Sequence, residues 1–239
     1  MKLLDLTLPT PAENLALDDA LLAAAEAGTL NDEILRLWEM PSLAVVVGRS
    51  SQLSSEVNTA AAKAMNVPIL RRASGGCAIV AGPGCLMYAV VLSYELHPEL
   101  RSLDLAHCFV LSRLREALLP LAAGVQIRGT SDLALGDHKF SGNSLRCKRN
   151  HLLYHGTLLY DFDLTLVEKY LGTAPRQPVY RKERTHGEFV TNLSLSPAAM
   201  KQAIGAVFGA FQPLAAWPLD LVGKLVEERY SQESWNLRH

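Results

Sequence analysis

Residues 67–93 read VPILRRASGGCAIVAGPGCLMYAVVLS. Three apolar runs, 67–72, 77–81 and 86–93, are separated by Ala73-Ser74-Gly75-Gly76 and by Gly82-Pro83-Gly84. Short β-branched runs bounded by glycine and proline read as strands joined by turns, and this spacing predicts an antiparallel meander. Further strand candidates lie on both sides. Residues 34–38 and 43–47 flank Met40-Pro41-Ser42, and residues 126–135 and 151–160 follow later in the chain. Between those last two, Gly136-Asp137 fits a two-residue hairpin turn into a strand over 138–145.

Helix signals surround this strand-rich middle. Thr10-Pro11-Ala12-Glu13 combines an N-cap, a proline at the first helical position and a capping-box glutamate. Leu17, Leu21 and Ala24 then share one face, and Gly28 is a stop. A short helix is predicted over 56–65, and an amphipathic one over 102–119 with Val110, Leu114 and Leu118 in one stripe. Asp163 caps a helix ending at Leu171-Gly172, Ser196-Pro197 opens one through Phe211, and a last one covers 219–230. Residues 173–193 dissolve into Pro, Arg, Gln and Thr, a length more often functional than idle. Strands in the middle and helices at the ends predict an α+β domain on a mixed, largely antiparallel sheet flanked by helices. No repeat or low-complexity linker divides the chain, so residues 1–239 read as one domain.

Composition narrows the function classes. Of 239 residues, 49% are hydrophobic and 20% charged, ordinary values for a globular protein, and the net charge is −1. Nothing global therefore draws the chain to nucleic acid or to an anionic membrane. No stretch reaches the roughly 20 apolar residues of a membrane span. Asp5 interrupts the N-terminus where a signal peptide needs an apolar run. The four cysteines, Cys77, Cys85, Cys108 and Cys147, form no C-x-x-C pair and no paired spacing with histidine. A zinc site and a disulfide framework are both disfavoured, no metal site made of side chains is expected, and the chain reads as cytoplasmic with reduced thiols.

Three motifs carry chemistry. In Arg71-Arg72-Ala73-Ser74-Gly75-Gly76 two glycines let backbone N–H groups approach a ligand, and arginine adds a fork of donors for phosphate or carboxylate. In Gly136-Asp137-His138-Lys139-Phe140-Ser141-Gly142 a lysine alternates with a phenylalanine, placed to neutralise a carboxylate and a phosphate together. In Leu153-Tyr154-His155-Gly156-Thr157 a histidine and a glycine interrupt an apolar strand, the glycine marking close backbone approach. Taken singly, each has a plain structural reading: a tight turn, a solvated edge lysine, a hydrogen-bonded core histidine.

Their order adds what no single motif holds. Arg-Arg-x-Ser-Gly-Gly, then Lys-Phe-Ser-Gly, then His-Gly-Thr-Leu-Leu resembles the biotin/lipoate A/B protein ligase superfamily, specifically its lipoate–protein ligase A branch. Asn14-Leu15-Ala16-Leu17-Asp18, Val46-Val47-Gly48-Arg49-Ser50, Ser131-Asp132-Leu133 and Phe189-Val190-Thr191-Asn192-Leu193 support the match, which runs from the first helix to Trp235. The resemblance implies a catalytic fold like that of biotin ligases and class II aminoacyl-tRNA synthetases. It also implies an enzyme of protein lipoylation. ATP with Mg2+ and lipoate (or octanoate) give an acyl-adenylate, and a carrier lysine then takes the acyl group. The carrier would be the lipoyl domain of a 2-oxoacid dehydrogenase E2 or the glycine cleavage H protein. Carried over, Arg71, Arg72, Ser74, Gly75, Gly76, Cys77, Ala78 and Ile79 would hold the nucleotide and acyl phosphate. Lys139 would be catalytic, with Asp132 and His155 in support.

The sequence departs from the family at Cys77, where a third glycine is common, and at Cys85 and Met87, where asparagines are frequent. Two rival readings follow. One is an octanoyl or lipoyl acyltransferase of the same superfamily working through a cysteine thioester; the positions its branches use hold Leu152 and Gly129-Thr130-Ser131, which leaves Cys77 and the displaced Cys147. The other is a non-catalytic domain that binds lipoyl groups or their carrier. Gly48-Arg49-Ser50-Ser51 lacks the Gly-Arg-Gly-Arg loop of biotin ligases. No further C-terminal domain is expected after Trp235, so residues 173–193, or a separate accessory protein, would have to cover the adenylate.

Overall fold

The computed structural model describes residues 1–172 and 177–239; the first four residues of the irregular stretch, 173–176, lie outside the described residues. The chain begins with β1 (Lys2–Asp5), α1 (Pro11–Glu26), β2 (Ile34–Glu39), β3 (Ala44–Val47), α2 (Leu53–Glu56) and α3 (Thr59–Ala64). It continues through β4 (Ile69–Arg71), β5 (Ile79–Ala81), β6 (Cys85–Ser93), α4 (Leu103–Leu118), β7 (Val125–Arg128), β8 (Asp132–Leu135), β9 (His138–Cys147) and β10 (His151–Leu159). Last come α5 (Thr165–Tyr170), α6 (His186–Phe189), α7 (Pro197–Val207), β11 (Gln212–Pro213), α8 (Leu219–Leu225) and α9 (Glu233–Asn236). No helix among the described residues is long and apolar enough to cross a membrane.

The expected α+β architecture is present. An eight-stranded sheet runs β11-β1-β2-β6-β10-β9-β8-β7, and a three-stranded sheet runs β4-β3-β5. In the large sheet β1 lies parallel to β2 and β11, and the remaining pairs are antiparallel. The strand period of two divides its side chains between two cores. Met87, Ala89 and Val91 of β6, with Ile34 and Trp38 of β2, face α1 and the small sheet. Tyr88, Val90 and Leu92, with Leu35 and Leu37, face α4 and α7.

Helix α1 starts as read: Thr10 accepts from Glu13 N–H and the Glu13 carboxylate reaches back to Thr10, with Pro11 in the first turn. Its expected single apolar face is corrected. Residues from Asn14 to Leu22 are buried all round, because α1 packs on β10 and β6 on one side and on α8 on the other. Other boundaries shift too. The helix over 56–65 is two short ones, and the strand over 126–135 is the hairpin β7–β8, turning at Gly129 with φ +56°. Helix α7 ends at Val207 rather than Phe211, since Gly209 takes φ +62° and Ala210 N–H returns to Gly205 O. The 219–230 helix passes into a π-turn at Val226–Tyr230, and β1 and β11 were not foreseen.

The predicted meander is the main correction. β4 and β5 do not pair with each other; both pair with β3, which lies between them, and β6 belongs to the other sheet. Residues 72–78 therefore form a crossover that passes over the C-terminal end of β3. Alternation shows that a run is a strand but not which strand it joins. The crossover seats on Gly48: a Cβ there would stand 1.9 Å from the Gly76 carbonyl oxygen. Gly48→Ala is expected to displace the crossover and destabilise the protein by about 2 kcal/mol or more. Thermal unfolding checks this, and an unchanged midpoint would refute the seating.

Candidate active site

The site rests on a buried polar chain between α1 and the large sheet. Arg36 of β2 and His155 of β10 sit on the face that α1 covers. Arg36 Nη1 donates to Asp18 Oδ1 at 2.6 Å and to Asn14 O at 2.7 Å, and its Nη2 donates to Asn14 Oδ1 at 2.6 Å. The other Asp18 oxygen lies 3.3 Å from His155 Nδ1, and His155 Nε2 lies 2.6 Å from Ser74 Oγ. Burial pulls the Arg36 guanidinium below its ordinary value, and Asp18 opposes that shift. Paired and multiply hydrogen-bonded, these charges can remain inside. The chain fixes Ser74, and with it the glycine turn, relative to the sheet.

The two arginines of the turn are used by the protein itself. Arg71 is fully buried and does not line the cavity described below. Its guanidinium donates to the carbonyls of Gly48 (2.7 Å), Ser51 (3.0 Å), Trp235 (3.1 Å) and Arg238. Arg72 donates to Val46 O (3.1 Å), Gly75 O (2.5 Å) and Cys77 O (2.9 Å), and burial pulls its pKa down to about 10. A guanidinium fork suits carbonyl oxygens as well as phosphate oxygens. Here it shapes the turn from within.

What the turn offers outward is backbone. Gly76 takes φ +86°, and among the described residues the N–H groups of Gly75, Gly76 and Cys77 donate to no protein backbone carbonyl. Such a turn is a concave nest for an anion. Ala78 N–H differs: it donates to Glu56 Oε2 at 2.7 Å, a buried carboxylate that also accepts from Ser51 Oγ at 3.1 Å. Ser144 Oγ holds Gly75 O at 2.9 Å, tying the turn to β9.

Lys139 projects from β9, where a register shift between Leu133 and Ala134 of β8 occurs opposite buried Phe140. Its ammonium lies 2.7 Å from Asp132 Oδ1, and Tyr180 O–H donates to Asp132 Oδ2 at 2.8 Å. Burial, then Asp132, pushes the Tyr180 phenol well above its ordinary range. Gly156 is needed for close approach, because a Cβ there would meet Asn143 Oδ1 at 1.9 Å. Asn143 in turn accepts from Tyr88 O–H at 2.5 Å and donates to Ser131 O at 2.8 Å.

These elements enclose a cavity of about 510 Å³. It brings together Arg72, Gly76, Cys77, Ala78, Ile79, Asp132, Lys139 and His155, while Arg71, Ser74 and Gly75 do not line it. Its remaining wall is largely apolar, with Leu15, Trp38, Val46, Met87, Phe140 and Leu159 among the lining residues. Cys85 faces the core, where burial pushes its thiol up to about 12. Cys108 and Cys147 are exposed and lie outside the cavity.

Sequence reasoning passed over several contributors. Arg36 was visible as a lone charge in an apolar strand, a pattern that signals a buried pair. Tyr180, Arg181, His186 and Phe189 border the site from the irregular stretch. Part of that stretch is ordered by a capping box, Thr185 to Glu188, that opens α6. The T-x-x-E signature was there to be read.

Since the Arg71 donors hold buried carbonyls, Arg71→Met is expected to cost about 3 kcal/mol or more of stability. Urea denaturation measures this. A loss below about 1 kcal/mol would mean that the contacts contribute little.

Residues 10–212 match the family model of the lipoyl protein ligase A/B catalytic domain. The chain is 32% identical over 197 residues to the lipoate-protein ligase A homologue of Aeropyrum pernix, covering 82% of this chain and 69% of the relative. It is 24% identical over 266 residues to octanoyltransferase LipM of Brevibacillus brevis, covering 96% and 95%. A chain of the bi-partite lipoate protein ligase of Thermoplasma acidophilum, studied with its E2 lipoyl domain, superposes with TM-score 0.82 at 21% identity over 100% of this chain and 97% of that one. A lipoate-protein ligase A bound with ATP gives TM-score 0.79 at 22% identity over 99% and 98%. With nearly its whole length matched in both sequence and fold, the chain belongs to the lipoyl protein ligase A/B catalytic domain family, whose members include ligases and acyltransferases.

Proposed function

We propose that the chain is an ATP-dependent lipoate–protein ligase. The observation that carries this reading is the polarity of the single cavity described. Apolar side chains of Leu15, Trp38, Val46 and Met87 share its lining with Lys139, Arg72 and the Gly76 turn. Such a space suits an acid with an apolar chain, lipoate or octanoate, whose carboxylate meets an anion site.

In the first half-reaction a carboxylate oxygen attacks the α-phosphorus of ATP, forming the acyl-adenylate and expelling pyrophosphate. The Lys139 ammonium offsets charge that accumulates where carboxylate and phosphate meet, and the Gly76–Cys77 N–H groups receive phosphate oxygens. In the second half-reaction the amine of a carrier lysine attacks the acyl carbonyl; an amide forms, AMP leaves, and the amine releases a proton. Magnesium enters this scheme with ATP, on its phosphates. The carrier is the lipoyl domain of a 2-oxoacid dehydrogenase E2 or the glycine cleavage H protein, and an accessory protein covering the adenylate belongs to the same reading.

Acid-dependent exchange of pyrophosphate with ATP tests the proposal, run in parallel with lipoate, octanoate and biotin. Exchange with lipoate or octanoate supports it, and no exchange with any acid removes it. Lys139→Ala is expected to abolish exchange in a folded protein, a loss on the order of a few kcal/mol in the barrier. Near-wild-type exchange by that variant would take Lys139 out of the chemistry.

One observation favours a second reading, acyl transfer through a thioester. Cys77 lines the same cavity as Lys139, and it is the single cysteine among the described residues that does so. There the thiolate would attack an acyl thioester, release the donor thiol, and pass the acyl group to the carrier amine. Under the ligase reading Cys77→Ser retains exchange and transfer. Loss of transfer by folded Cys77→Ser, with an acyl-enzyme trapped on the wild type, would establish the second reading.

A further inference from the structure

Resting on the ligase reading, we infer that Tyr180 is a positioning residue that sets how firmly Lys139 is held before substrate arrives. Asp132 is more than nine-tenths buried and its two oxygens are divided between two partners. Oδ1 takes the Lys139 ammonium at 2.7 Å, and Oδ2 takes the Tyr180 hydroxyl at 2.8 Å. Asp132 therefore occupies the cation that an incoming carboxylate or phosphate must engage, and a substrate anion competes with it for the same ammonium.

The electrostatics give Tyr180 its part. A buried carboxylate that lost one of its two partners would be less well compensated, and it would hold the remaining cation the more tightly. The Tyr180 hydroxyl keeps one hydrogen bond on Asp132 whether or not Lys139 stays, and so lowers the cost of releasing the ammonium towards a ligand. Tyr180 is held by three neighbours. Its ring lies 5.1 Å from that of Phe189, under the Arg128 guanidinium at 5.3 Å, and against the open face of Gly129. The segment that carries it also returns to Lys139 itself, because Thr191 N–H donates to Lys139 O at 2.9 Å. Lys139 is thus bracketed by one segment at both its backbone and, through Asp132, its ammonium.

Tyr180→Phe keeps the ring and removes the donor. At fixed pH, labelling of Lys139 by acetic anhydride is followed by mass spectrometry, with exposed Lys182 as internal reference. In Tyr180→Phe, labelling of Lys139 is expected to fall about fivefold, because Asp132 then holds the ammonium more tightly. The KM for the acid in pyrophosphate exchange rises by a similar factor while kcat changes little. In an Asp132→Asn background Tyr180→Phe is expected to have no effect on either readout, since a residue acting through Asp132 has nothing left to act on. Unchanged labelling in Tyr180→Phe, or an effect that persists without the Asp132 carboxylate, would overturn the inference. Should Asp132→Asn not fold, the single-variant labelling ratio decides alone. A wild type that shows no exchange removes the ligase reading but leaves the labelling outcome free to sustain or defeat this one.

Discussion

The architecture depends on one buried ion pair, Asp18 with Arg36. An isolated charge in a protein interior is prohibitively costly, and removing one partner of such a pair typically costs about 3–5 kcal/mol. The pair survives because both terminal nitrogens of Arg36 and both oxygens of Asp18 are engaged, Arg36 also by Asn14 and the carbonyl of Leu6, Asp18 also by His155; of the pair, Arg36 Nε alone has no partner among the described residues. Those partners come from α1, β2 and β10, so satisfying one charge fixes how the helix lies across the sheet. Geometry propagates from there. His155, so placed, meets Ser74, and Ser74 begins the glycine turn from which Gly76 lines the cavity.

The same need for partners explains how the arginines nearest the turn are engaged. A crossover that must leave β4, pass the end of β3 and enter β5 exposes several carbonyls that no ladder can satisfy. Arg72 supplies donors to the crossover carbonyls of Gly75 and Cys77, Arg71 supplies them to the carbonyls of Gly48 and Ser51 after β3, and Trp235 and Asn236 bond the Arg71 backbone. Buried donors and acceptors are thereby paired, as interiors demand. The outcome is a rigid turn with few protein partners for its N–H groups, the state an anion site requires.

Much of this was legible beforehand, and the gaps have physical causes. The capping box at Thr10 placed α1 to the residue, and Gly136-Asp137 placed the β8–β9 hairpin, because both signals are local. Strand partnership is not local, so the β4-β3-β5 order was misread as a meander although each strand was found. Lys139, Asp132 and His155 were read as site residues from their motifs, and the structure places all three on one cavity. The hydrogen bonds that Arg71 and Arg72 make within the protein were not legible, because residue type shows a fork of donors and not which acceptors fill it. Tyr180 carried no motif at all; it reaches Asp132 only because the chain folds back across 48 residues of sequence separation.

The choice of lysine at 139 follows from the same division of labour. An arginine presents a flat fork that is best when several donors are fixed together, which is how the structure uses Arg36, Arg71 and Arg72. On the proposed ligase reading, Lys139 serves a protein carboxylate at rest and a ligand anion in turn, which calls for a compact charge on a movable stem. Lys139 has that form, and Gly142 leaves it room: a Cβ at 142 would stand 3.0 Å from both Lys139 Cε and Nζ. The glycine of the Lys-Phe-Ser-Gly motif therefore belongs to the lysine's range of movement as much as to the strand. A motif of four residues then encodes one physical requirement, a mobile cation held beside a fixed turn.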